Sequence, residues 1–186
     1  MFKKTLTLAV AASTLFAAAP VLAQEVKIGF LADITGPIAG FAPGMVDAAN
    51  LAIANVNDQG GILDGQTLTS VLADSACDGG AAGPAADRLV NAENVIAIFG
   101  GFCSGATISG ANGSAIPGNV VMISPASTAP AVAELDDNDL VFRDVVPDSI
   151  QGVKAAELLL AKGVTEVGLT YVNNDYGSGL AGAFEE

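Results

Sequence analysis

Short apolar runs rich in β-branched residues alternate along the chain with stretches whose apolar positions recur at helical spacing. VKIGFLA (26–32) runs without a break, as a strand buried on both faces does. The glycine- and proline-rich turn DITGPIAGFAPG follows. In VDAANLAIANVNDQGG, Val46, Ala49, Ile53 and Val56 then predict a helix that Gly60-Gly61 stops. TLTSVLAD (67–74) reads as the second strand and PAADRLVNAEN (84–94) as the second helix, with Pro84 in its first turn. NVIAIFG (94–100) and NVVMISP (119–125) are the third and fourth strands, each leading into a helix, over SGATISGANGSAI and STAPAVAEL. LVFRDVVPD (140–148) is extended, and SIQGVKAAELLLAKG (149–163) is a strong helix with Ser149 as its cap. EVGLTYV (166–172) reads as another buried strand, and NNDYGSGLAGAFEE opens one more helix. This order predicts an α/β fold with a mostly parallel sheet wound on both faces. A last helix that stops at Glu186 with neither cap nor glycine reads as part of a longer protein.

The first residues set the compartment. Lys3 and Lys4, an apolar stretch and the ending Val21-Leu22-Ala23 form the pattern of a secretory signal peptide over residues 1–23, cut between Ala23 and Gln24. The competing reading, a membrane anchor, is disfavoured because Ser13, Thr14 and Pro20 interrupt a core that is short for a span. The formal net charge of −13 becomes −15 once Lys3 and Lys4 are removed, since residues 1–23 carry no Asp or Glu. Such acidity disfavours nucleic acid and anionic membranes as partners.

Two cysteines in an exported chain, Cys77 and Cys103, are most simply a disulfide, stabilising by about 3 kcal/mol on loop-entropy arithmetic. A nucleophilic Cys103 is the alternative. It needs a base to form the thiolate, and the sequence contains no His. The same absence removes Ser-His-Asp catalysis and the usual zinc ligands. Gly36, Gly40 and Gly44 do not have dinucleotide-loop spacing and there is no phosphate-loop lysine, so neither a cofactor nor a metal is expected.

In open parallel sheets ligands bind beyond the carboxyl ends of the strands. Four such ends combine glycine or proline with hydroxyls or an aromatic: ITGPIAGF, GGFCSGAT, SPAST and NNDYGSG. A helix start offers free N–H groups, and Ser104 adds a hydroxyl donor, which suits an anion such as a carboxylate. The Ala126 carbonyl and the Thr128 hydroxyl can accept from an ammonium group. The bland alternative is that Ser104 and Thr128 only cap helices.

KIGFLADITGPIAGF, NDQGGI, the Cys77-Asp78 pair, FGGFCSGAT, VMISPAST, FRDVVPDSIQG and YVNNDYGSGLA, in that order, resemble the periplasmic leucine/isoleucine/valine-binding proteins. These are the type I substrate-binding components of ATP-driven (ABC) amino-acid importers. The resemblance implies two doubly wound lobes joined by a hinge and closing on a ligand. Lobe 1 would span residues 24–145, and 146–186 would begin lobe 2. It implies that Ser104 and the backbone at Phe102 take the α-carboxylate, and that Ala126, Ser127 and Thr128 form the ammonium turn. Tyr176 would close over the ligand, Phe41 would line the side-chain pocket, and Cys77 and Cys103 would be bridged. Phe41 and Gly105 depart from the common Tyr and hydroxyl residue of the family, which bears on side-chain preference. The implied protein is a periplasmic, monomeric, non-catalytic carrier of an aliphatic amino acid that meets the permease subunits of its transporter. Other readings are a carrier of an amide, urea or aromatic acid, an exported sensor domain and, most remotely, an enzyme.

Overall fold

The structure, a computed structural model, describes residues 25–186. The expected signal peptide and its cleavage point lie outside the described residues. The first strand, β1 (Glu25–Ala32), is the hub of the sheet. It pairs in parallel with β2 (Thr67–Asp74) along its whole length and, on its other side, with β3 (Ala97–Gly100). β4 (Val121–Ser124) and β5 (Val141–Arg143) extend the sheet beyond β3, giving the order β2-β1-β3-β4-β5 with every pair parallel. The chain leaves β1 first to one side and then to the other, so the crevice between β2 and β3 at the end of β1 is the switch point of the sheet.

The helices divide between the two faces. α1 (Ala42–Asp58) lies on one face, where Ala32, Ala42 and Phe102 are buried with Ile38, Met45, Val46 and Phe99 around them. α2 (Gly79–Asp87) and α3 (Ser104–Gly110), each running on into a π-helical turn, cover the other. There Leu31, Leu89, Ile98 and Met122 form the main core with Ala86, Ala111 and Ala115. Alanine at these helix positions lets the helices approach the sheet closely, while burial of the four large side chains contributes about 1.5–3 kcal/mol each. At the outer edge of β2, Asn57 satisfies Leu68: its amide both donates to the Leu68 carbonyl and accepts from the Leu68 N–H at 2.8 Å.

Several boundaries differ from the sequence expectation. The second helix starts at Gly79 rather than Pro84, because Asp78 caps it by accepting from the Ala81 N–H at 2.9 Å; Pro84 therefore sits inside the helix. The turn after β4 forms only a 3₁₀ segment, Pro130–Glu134. α4 (Asp148–Ala161) begins one residue before Ser149 and follows Pro147, with no side-chain cap. Gly152 of α4 packs against α5 (Asp175–Glu185), where a Cβ would lie 2.4 Å from the backbone of Ala183. The segment 166–172 is not a strand: it pairs with no other segment among the described residues and leaves Val167, Leu169, Tyr171 and Val172 exposed. Its β-branched composition gives it the propensity, but a strand forms only where a neighbour supplies the ladder.

Candidate functional site

The turns that follow β1, β3 and β4 meet α1, the start of α4 and the start of α5 around one cleft of about 680 Å³. Ile38, Phe41 and Met45 form an apolar wall, and Ser104, Thr128 and Asp148 are among the polar groups facing them. No Lys, Arg or His lines this cleft among the described residues. A smaller, mostly apolar cavity of about 360 Å³ lies between α4, α5 and residues 169–172; it shares Gln151, Val172 and Tyr176 with the cleft but holds none of the turns after β1, β3 and β4.

Asp33 lies at the switch point and is 0% exposed. Its Oδ1 accepts from the Ser75 hydroxyl and from the Cys77 N–H at 2.8 Å. Its Oδ2 accepts from the Phe102 N–H at 2.9 Å and from the Cys103 N–H at 2.8 Å. Cys77 and Cys103 are bridged, with their Cα atoms 5.3 Å apart, so Cys103 is no nucleophile. Behind the turn, Gly100 has φ +130°, and a Cβ there would lie 2.0 Å from the Leu31 carbonyl oxygen; only glycine fits.

The two candidate hydroxyls are fixed with opposite polarity. Ser104 is buried, and its Oγ accepts from the Ala129 N–H at 3.2 Å. Among the described residues its hydrogen goes to no acceptor, which leaves it to donate to an anion. Thr128 instead donates to Asp148 Oδ2 at 2.8 Å, which leaves its oxygen to accept. Asp148 is 0% exposed, and its Oδ1 has no hydrogen-bond partner. Burial raises the Asp148 carboxyl above the ordinary range, against the opposing effects of the Thr128 hydroxyl and the nearby Arg143. Arg143 is occupied with the Thr128 and Ala129 carbonyls, at 3.1 and 2.8 Å. A buried carboxylate with an orphaned oxygen beside an accepting hydroxyl is chemically a site for a cationic donor.

The structure brings Phe41, Phe102, Ser104, Ala126, Thr128 and Tyr176 to the cleft. It does not bring Ser127 there: that hydroxyl is buried and donates to the Gly101 carbonyl at 3.1 Å, because neighbouring positions in the turn face opposite ways. The Phe102 N–H is also unavailable to a ligand, since Asp33 holds it. Its ring is packed edge to face on Phe99, with centroids 5.6 Å apart. Phe41 is 76% exposed and Tyr176 43%, so both rim the cleft. Sequence reasoning missed Asp33 and Asp148. For Asp148 the available signal was its place directly after Pro147, at the start of a helix that follows a strand end.

Residues 25–186 match the family model described as periplasmic binding protein. The chain is 31% identical over 166 residues to the Leu/Ile/Val-binding protein of Escherichia coli K12, covering 89% of this chain and 44% of that protein. It is 33% identical to the Leu/Ile/Val-binding protein BraC3 of Rhizobium johnstonii over 187 residues, covering 100% of this chain and 49% of that protein. Among solved structures it resembles a leucine-binding protein of Thermotoga maritima with a TM-score of 0.75 and 28% identity, over 86% of this chain and 44% of that one. The chain thus spans less than half the length of each of these relatives.

Proposed function

Because the chain belongs to the periplasmic binding protein family, with the doubly wound parallel sheet of its type I fold, we propose that it captures a zwitterionic, aliphatic amino acid. The observation that carries this reading is the pairing, in one cleft, of a donating Ser104 hydroxyl with an accepting Thr128 hydroxyl backed by the orphaned Asp148 oxygen. An α-amino acid presents a carboxylate and an ammonium on the same carbon, and these two groups match the two ends. Ile38, Phe41 and Met45 favour an aliphatic side chain. The relatives named Leu/Ile/Val-binding support that class.

In this reading residues 24–145 are the first lobe and residues 146–186 begin the second, whose Tyr176 closes on the ligand. The loaded, monomeric protein delivers its ligand to the permease subunits of an ABC importer, with no chemical step. An aromatic or other acid without an amine is disfavoured, because it would face Asp148 with no cation among the described lining residues. The test is calorimetric titration with leucine, isoleucine, valine, alanine, phenylalanine, acetamide and urea. One-site binding of leucine, isoleucine or valine supports the proposal. Binding only of acetamide or urea refutes the zwitterion assignment.

A further inference from the structure

We propose that Asp33 is the positioning residue of the Ser104 turn and holds that turn independently of the disulfide. Asp33 directly follows β1, where the arm after β2 and the arm after β3 diverge. Each of its oxygens serves one arm: Oδ1 takes Ser75 and Cys77, and Oδ2 takes Phe102 and Cys103. The Cys77–Cys103 bridge ties the same two arms. The two ties differ in what they fix. A disulfide acts through rotatable side-chain bonds and sets the separation of two Cα atoms. A carboxylate that accepts two successive backbone N–H groups fixes the planes of the peptides themselves. Ser104 is the next residue, so the direction in which its hydroxyl points follows from the Asp33 bonds. Using up the Phe102 and Cys103 N–H groups also leaves Ser104 to meet the carboxylate of a ligand.

Asparagine and alanine separate these effects. In Asp33→Asn the amide oxygen stays with Phe102 and Cys103, and the NH₂ turns to the Ser75 oxygen, opposing the Cys77 N–H alone. In Asp33→Ala both arms lose their acceptor. Amide hydrogen exchange on the chain and its variants reads this directly, with no ligand. The Cys77→Ser/Cys103→Ser double variant is expected to keep protection at positions 102 and 103 within about threefold. Asp33→Asn is expected to lose protection at Cys77 and keep it at 102 and 103. Asp33→Ala is expected to lose about tenfold or more at all three. If the double cysteine variant loses protection at 102 and 103, or Asp33→Ala keeps it, the proposal is overturned. Should Asp33→Ala not fold, the asymmetric loss in Asp33→Asn decides it.

A second readout rests on the amino-acid reading. Asp33→Ala is expected to weaken L-leucine about tenfold while leaving 3-methylbutylamine, which lacks the carboxylate, unchanged. Equal weakening of both means a merely structural residue and overturns the positioning role. A wild-type protein silent to leucine overturns the amino-acid reading, and the exchange pattern still decides Asp33.

Discussion

The turn after β3 and the turn after β4 each follow a parallel strand and each bring one hydroxyl to the cleft, Ser104 and Thr128, yet the two offer opposite hydrogen-bonding faces. After β3, Ser104 Oγ receives the Ala129 N–H and keeps its own hydrogen to give. After β4, Thr128 gives its hydrogen to Asp148 and keeps its oxygen to receive. The first turn is held by an anion, Asp33, that is satisfied on both oxygens; the second lies beside Asp148, which is satisfied on one. A hydroxyl therefore acquires its binding polarity from the neighbour that takes or supplies its first bond. In the proposed amino-acid reading, the orphaned oxygen marks Asp148 as the carboxylate that meets the ligand.

The largest effect is expected from Asp148→Asn. Thr128 can still donate to the amide oxygen, but an NH₂ group then stands where an ammonium would bind. Leucine affinity is expected to fall about 100-fold by calorimetry, in the range measured for truncated buried charge pairs. Unchanged affinity would erase the difference between the turns. Ser104→Ala is expected to weaken leucine about tenfold and to leave 3-methylbutylamine unaffected. It also strands the Ala129 N–H, so a stability loss of about 1–3 kcal/mol should appear in denaturant unfolding.

The pH dependence sharpens the same contrast. Asp148 has a folded pKa raised above 3.8, so its contribution to stability is present below the unfolded value and is lost as pH rises through the folded value. A bound ammonium favours the ionised form. Leucine affinity should therefore fall on acidification before an ordinary carboxylate would protonate, and Asp148→Asn should remove that fall. Asp74, outside the cleft, gives the opposite case. Burial would raise it, but the hydrogen bonds from the Thr35 hydroxyl and from the Ala76 and Thr35 N–H groups prevail and lower it. Its contribution is present above the unfolded value and is lost as pH falls through the lowered one. Thr35→Val should cost at most about 1 kcal/mol, seen in acid unfolding, and should leave leucine binding intact.

The central strand β1 was legible in the sequence because a strand buried on both faces needs an unbroken apolar run, and Glu25–Ala32 contains the run 26–32. β2, an edge strand only partly buried, mixes polar and apolar residues and was legible from its strand-forming composition. The start of α2 was not, since DGGAAG has low helix propensity and depends on the Asp78 cap. Residues 166–172 have the composition of a strand without a paired neighbour, and composition carries no information about partners. In the site, the cleft-lining positions of Ser104 and Thr128 could be expected from their place after strands. The Ser127 hydroxyl turns instead to the Gly101 carbonyl in the interior, a direction that a position after a strand does not reveal. Asp33 and Asp148 are of the same residue type as the exposed Asp136 and Asp139, and burial, which separates them, is set by the three-dimensional packing.

The most direct test of the two-ended cleft is to titrate the protein with leucine and with its two single-charge relatives, 3-methylbutylamine and 4-methylpentanoate. The account predicts saturable leucine binding and at least about 100-fold weaker binding of both analogues, each of which leaves one end unpaired. Binding of 4-methylpentanoate as tight as that of leucine would contradict the ammonium site at Thr128 and Asp148.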